Sequence, residues 1–393
     1  MDFNIPDELR MVRSLVRDFV HDQLRPLERD ILGRASDLSD ARISLPSEIE
    51  RKLIGMARDI GLWGVGIPEE LGGVGLSTLG LCLVEEELAQ TVTPFNLGDV
   101  SPILFECNAI QKEKYFLPLL YRQRQAFLAL MEPGKGANLL DMGTKAEKAN
   151  SHYIINGSKL SFSRADATGD YFVVVFAVTS EEKVPGKGVS CFLADKDAPG
   201  IRVVNDGEKR GWRTQVREPT CLVFEHCSVP AENLLGEEGK AFSLGKRWLP
   251  SRRLVRGARC VGVAERLLEE ATVHGQSWQS FGQLISRRVD IEAALADIAV
   301  TIHACRLMVY EAAWKSDEGK TTGRDGAMVK LFATEMIHRV ADGVAHIFNG
   351  PPYIAGLPME RLCRDVLATS ATELALELQR SVIARDVLKG LKV

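Results

Sequence analysis

The stretch HYIINGSKLSF, His152–Phe162, sets two short apolar, β-branched runs on either side of Asn156-Gly157. Asn-Gly between alternating apolar residues signals a tight hairpin, because such turns need positive φ at their central positions. The runs YFVVVFAV (171–178), VSCFLADK (189–196) and CLVFEHCSV (221–229) are also of strand length, and Gly, Pro and Asp separate them. Short strands at fairly regular spacing predict a small antiparallel barrel or sandwich over residues 126–238.

Working outward, the period changes from two to about three and a half. Leu9, Val12, Leu15, Val16, Phe19 and Val20 describe one helical face starting near Asp7, which reads as an N-cap. A second helical run covers Glu48 to Ile60, and a third is LGLCLVEEELAQ (79–90). Between them lies GLWGVGIPEELGGVGLS (61–77), read as a surface loop. It has neither a G-x-G-x-x-G register nor Gly-Lys-Ser/Thr, and no strand leads into it, so a phosphate-binding loop is excluded. After Gly239, Leu254, Ala258, Val261, Ala264, Leu268 and Ala271 step by three or four. Further helical runs at 285–316, 324–348 and 370–389 complete a four-helix bundle. The expected architecture is α+β: an N-terminal α-helical domain (1–125), a middle antiparallel β-barrel domain (126–238) and a C-terminal four-helix bundle (239–393). This order is not the βαβ alternation of a doubly wound sheet.

The 393 residues carry 49 Lys and Arg against 53 Asp and Glu, a net charge of -4, with no long basic run. A nucleic-acid partner is therefore not expected. The eight cysteines are scattered without zinc or redox spacing, which reads as reduced thiols in a reducing compartment. The start, MDFNIPDELRMVRS, lacks an apolar signal core, and no uninterrupted apolar run is long enough to span a bilayer. A cytoplasmic location is expected. No His/Cys/Asp grouping has metal-ligand spacing, and G-x-S-x-G is absent.

Six phrases, in order along the chain, resemble the acyl-CoA dehydrogenase family: GLWGVGIPEELGGVGLS, ALMEPGKGANLL (129–140), YIINGSK (153–159), VPAENLLGEEGKAF (229–242), RLMVYEAAWKSDEGK (306–320) and PMERLCRD (358–365) with LQRSVIARD (378–386). The resemblance implies FAD held between the barrel and the bundle, with a neighbouring subunit completing the site. It implies an acyl-CoA substrate, a dimer or tetramer, and an electron-transfer flavoprotein as acceptor. In that chemistry a carboxylate removes the α-proton of a thioester, and a hydride passes from the β-carbon to flavin N5.

Carried over by the resemblance, the catalytic carboxylate is Glu373. The other position at which the family places a base is Arg252, which closes that route. Ser370-Ala-Thr-Glu373 equally fits a capping box, in which the glutamate bonds back to its own helix start. Leu374-Ala375 follows where the family has Gly-Thr. Leu130 and Met131 fall against the flavin ring, Met131 in place of a threonine; core packing is the alternative for Met131. Ser161 replaces the tryptophan that covers the ring, and Ser163 keeps a hydroxyl near N5; the alternating Ser-Phe-Ser also reads as a half-buried strand. Ala137 and Arg253 fall on the substrate side, with Asn138 in place of an aspartate. Phe281 matches a contact made from the neighbouring subunit. Trp278 stands where an arginine meets cofactor phosphate, with Arg287 and Arg288 nearby as substitutes or as solvated charge. His346 and Gly350 correspond to the family's diglycine loop. Arg252, Arg256 and Arg259 share a helical face that meets an anion, a subunit or solvent. Two other readings stand beside the dehydrogenase: a weakened subunit completed by a paralogous partner, and a flavin monooxygenase or oxidase of the same fold.

Overall fold

The computed structural model describes the chain except residues 1–3, 36–44, 136–140, 162–168, 181–187, 205–219, 321, 349, 351–355, 371–375 and 391–393. Its elements run in three blocks. The first is α1 (Asp7–Phe19), α2 (Glu28–Ala35), α3 (Ser47–Asp59) and α4 (Thr78–Leu88), followed by the short α5 (Ala109–Gln111) and α6 (Leu117–Leu120). The second is β1 (Gln125–Ala129), β2 (Lys145–Ala149), β3 (His152–Ser161), β4 (Tyr171–Val178), β5 (Val189–Asp195), β6 (Ile201–Val204), β7 (Thr220–Pro230) and β8 (Leu234–Leu235). The third is α7 (Ala241–Ser277), β9 (Gln279–Ser280), β10 (Gln283–Leu284), α8 (Val289–Asp317), α9 (Gly323–Phe348), α10 (Pro358–Val366) and α11 (Leu376–Gly390).

Two compact units emerge. One joins Met1–Leu97 to Pro250–Val393; the other holds Gly98–Trp212 and Val216–Leu249. In the first, Leu254, Ala258, Val261 and Ala264 of α7 pack with Ile302, Cys305 and Val309 of α8 and with Val329, Met336 and Val340 of α9. The helices approach closely where side chains vanish: a Cβ on Gly262 would lie 2.0 Å from the Glu86 carbonyl oxygen of α4. α4 is thereby sunk into the bundle, which turns its consecutive glutamates inward. Glu86 is 1% exposed and accepts from Arg13 of α1 (3.0 Å), Arg306 of α8 (3.1 Å) and the Tyr310 hydroxyl (2.8 Å). Glu87 accepts from Arg13 (2.6 Å) and Arg17 (2.8 Å). Burial outweighs these cations at Glu86 and raises its pKa, whereas at Glu87 the arginines outweigh burial and lower it. The start of α4 is tied to the end of α8: the N–H groups of Thr78 and Leu79 donate to the Asp317 carboxylate at 2.6 and 3.0 Å.

In the second unit the strand order is β6-β7-β3-β2-β4-β5-β8, with β1 added on β4. The sheet is mixed rather than wholly antiparallel. β1 pairs with β4 in parallel, Gln125 opposite Tyr171 through Ala129 opposite Val175, because the β2–β3 hairpin intervenes and supplies the long crossover that parallel strands need.

Three local expectations change. The hairpin turn lies at Asn150-Ser151, where Asn150 has φ 54°, and β3 runs straight through Asn156-Gly157. There the glycine's φ of 145° serves a bulge in the pairing with β7, and a Cβ would meet Thr144 Oγ1 at 2.6 Å. Pro6, not Asp7, is the residue preceding α1, so Asp7 places its charge in the first turn. The 61–77 stretch is part of the core: Leu62, Val65 and Ile67 are buried, and the N–H of Leu76 donates to the carbonyl of Val65 (3.0 Å). α8 has the length and apolar composition that would also suit a membrane span. Here it packs on α4 and α9, and its Arg306 pairs with Glu86 and Glu265. All eight cysteines are free thiols, five of them buried.

Candidate functional site

Glu373 itself, with Ala137, Asn138, Ser163 and Leu374, lies outside the described residues, as does the side chain of Ser161, the last residue of β3. The elements that lead into these positions are described, and they are anchored by buried charge.

In the β unit, Leu130 and Met131 follow β1 and are half-buried. Met131 sits opposite Leu160 of β3 in an isolated bridge, its carbonyl accepting from the Leu160 N–H at 2.8 Å. Lys159 is 0% exposed, and its ammonium donates to the Leu130 carbonyl (3.2 Å) and to Glu132 Oε1 (2.9 Å). The Glu132 carboxylate also accepts from the N–H groups of Gly143 (2.6 Å) and Thr144 (2.8 Å). Burial pushes this carboxyl up, but the bonds from Thr144, Gly143 and Lys159 outweigh it and hold its pKa at about 2. Burial lowers the lysine's pKa despite Glu132.

In the helical unit, the turn Leu367–Ser370 precedes the 371–375 segment. Thr369 is held from α9: its carbonyl accepts from Lys330 Nζ at 2.5 Å, and its hydroxyl lies 3.4 Å from His338 Nε2. The α10 helix that delivers this turn carries Arg361, buried and bonded to Asp365 at 2.9 Å. Arg253 is also buried, its stem packed near Gly326 of α9, whereas Arg259 pairs with Glu85 at 2.8 Å. Neither is simply a solvated surface charge.

The β9–β10 hairpin turns at Phe281-Gly282 with φ of 51° and 80°. Phe281 is 99% exposed. Trp278 offers no charge; its ring stacks on His274, which stacks in turn on Phe348 at the end of α9 (centroids 5.6 and 4.3 Å). Arg288 is paired with Asp290 at 2.7 Å, while Arg287 is exposed. His346, in the last turn of α9, and Gly350, just beyond that helix, are both exposed.

The described residues fit a flat aromatic cofactor on one count. Leu130 and Met131 present partly open apolar side chains on a backbone that hydrogen bonds hold in place. Sequence reasoning missed Lys159, Glu132, Lys330 and Arg361. The available signal was a single charge set in an otherwise apolar or small-residue run, as in ALMEP and NGSKL.

Models of the acyl-CoA dehydrogenase N-terminal, middle and C-terminal domains match residues 6–122, 128–224 and 242–388. Isobutyryl-CoA dehydrogenase of Dictyostelium discoideum is 32% identical over 98% of this chain and 90% of its own. (R)-benzylsuccinyl-CoA dehydrogenase of Thauera aromatica is 30% identical over 99% and 97%. A chain solved in work on the electron-transferring flavoprotein of Acidaminococcus fermentans and flavin-based electron bifurcation is 31% identical, with a TM-score of 0.83 over 99% and 100%. The buried charges that anchor the Leu130-Met131 segment and the turn before residue 373 sit within a chain whose three parts match in order, and the chain belongs to the acyl-CoA dehydrogenase family of FAD-binding flavoprotein oxidoreductases.

Proposed function

We propose that the protein removes the α- and β-hydrogens of an acyl-CoA thioester, with Glu373 as the α-proton base. The observation that carries this reading is the anchored turn at Leu367–Ser370. Lys330 holds the carbonyl of Thr369, four residues before the glutamate, so the chain enters the 371–375 segment from an anchored turn. A base for so weak an acid needs a dry setting that raises its pKa. The alternative position on α7 is Arg252, which cannot accept a proton.

FAD, when bound, accepts the β-hydride at N5. Leu130 and Met131 would line its ring, with Ser161 and Ser163 as hydroxyl neighbours. Phe281 would reach it from a second copy of the chain, His346 and Gly350 would contact it from the last turn of α9 and just beyond, and Ala137 and Arg253 would face the thioester. A homotetramer built on such exchange accords with the exposed Phe281 and with the apolar residues Val289, Val300 and Leu307 exposed on α8. An electron-transfer flavoprotein as acceptor accords with the likeness to the Acidaminococcus chain.

The test is anaerobic titration of the flavin-loaded protein with butyryl-, isobutyryl- and benzylsuccinyl-CoA, following flavin absorbance. Bleaching by one of them is expected. Glu373→Gln should slow it by about 10²–10⁴-fold with the flavin retained; equal rates in the two proteins would end the assignment. A paralogous partner is favoured by one observation, the uncharged Trp278 at the phosphate position. Full FAD loading of the protein expressed alone would remove that reading.

A further inference from the structure

The buried pair Lys159–Glu132 has no part in the chemistry described above, and it is not a surface ornament. The ammonium is sealed from solvent and joins β3 to the 130–132 segment. It meets the Leu130 carbonyl at 3.2 Å and Glu132 at 2.9 Å, while Glu132 reaches across to the N–H groups of Gly143 and Thr144 at 2.6 and 2.8 Å. The two ends of the 132–143 excursion are thus closed by one carboxylate. Lys135 adds a second strut, donating to the Asp141 carbonyl at 2.8 Å. Thr144 is buried and continues the lock into the sheet: its carbonyl accepts from the Val178 N–H of β4 at 2.8 Å.

A buried ion pair is seldom a net source of stability, because desolvating both charges offsets their attraction; its firmer contribution is a unique geometry. Here that geometry is the course of the backbone from Leu130 to Glu132. We propose that Lys159 and Glu132 are positioning residues that clamp the Leu130-Met131 backbone against β3 and tie Gly143 and Thr144 to the same carboxylate. Given the flavin reading above, on which this rests, the clamp sets the surface offered to the isoalloxazine ring.

Three measurements on full-length protein test it, using Glu132→Gln and Lys159→Met. First, FAD affinity should fall about tenfold or more, since a shift of about 1 Å in a positioned group has effects of that order or larger. Second, the visible absorption band of the flavin that remains bound should shift. A merely structural role would lower the unfolding temperature without moving that band. Third, amide hydrogen exchange at Gly143, Thr144 and Leu160 of the FAD-free protein should accelerate, because their acceptors are then loosened. Wild-type affinity and an unmoved band in both variants would overturn the clamp as a positioning device. If Lys159→Met does not fold, Glu132→Gln carries the test, because its amide oxygen still accepts from an N–H. Wild-type protein that takes up no FAD would count against the flavin reading instead. The clamp is then judged on exchange alone, and unchanged exchange in Glu132→Gln would overturn it.

Discussion

The ammonium of Lys330, on α9 and only 3% exposed, donates to the carbonyl oxygen of Thr369 at 2.5 Å. The bond joins a core helix to the turn that leads into residues 371–375. Removing it takes a donor from a half-buried carbonyl, so Lys330→Met should cost about 1 kcal/mol of stability. Its effect on turnover should exceed its effect on FAD affinity, because the turn leads to the proposed base and not to Leu130-Met131. A fall in FAD affinity with unchanged turnover would contradict this order.

The glutamate pair in α4 leads to a second expectation. Arg306→Met removes one of two arginines bonded to Glu86 and leaves the buried carboxylate with Arg13 and Tyr310. A loss on the order of 3 kcal/mol is expected, as for other broken buried pairs. Glu86→Gln should cost less, because burial already works against the charged form there. Urea unfolding of the two variants side by side gives the ranking, and the reverse ranking would refute it.

Acid sensitivity should have an identifiable component at Glu132. Its folded pKa, about 2, lies below the ordinary value of 4.5, so folding favours the ionised form. The stabilisation is complete above about pH 4.5 and is lost as pH falls toward 2. Glu132→Gln should therefore be less stable than the parent at pH 6, with the gap narrowing steadily below pH 4.5. Chemical unfolding at stepped pH measures this; a constant gap would show that the carboxylate's charge is not what holds Gly143 and Thr144.

Much of this was legible beforehand. The change from helical to strand period near residue 125 and back near 240 located the three blocks, since periodicity reports which face is buried. What was misread needed information that the sequence does not hold locally. Asn156-Gly157 meets every local criterion for a turn, yet its positive φ is used for a bulge facing β7, some seventy residues away. The glycine-rich 61–77 stretch looks like solvent-exposed loop, but its apolar residues enter the first unit's core. Nothing local in LGLCLVEEELAQ announces that Glu86 and Glu87 are buried, because their arginines lie on α1 and α8. Of the candidate site, Leu130, Met131 and Phe281 could be named from the sequence as candidates; the buried lysines that hold the flanking backbone could not, because a lysine's default place is the surface.

Phe281 offers the sharpest separation of folding from function. It is 99% exposed and takes φ of 51°, a conformation that bulky residues avoid. Among the described residues no contact of the exposed ring repays that strain, which amounts to about 1 kcal/mol or slightly more. Phe281→Gly relieves it and should leave the isolated chain as stable as before or more so. If the ring instead reaches a neighbouring copy's cofactor, the same substitution should weaken FAD binding and subunit association together. Thermal unfolding, sedimentation and FAD titration of the one variant decide the matter. A protein with unchanged assembly and FAD affinity would leave Phe281 without a role at any subunit boundary.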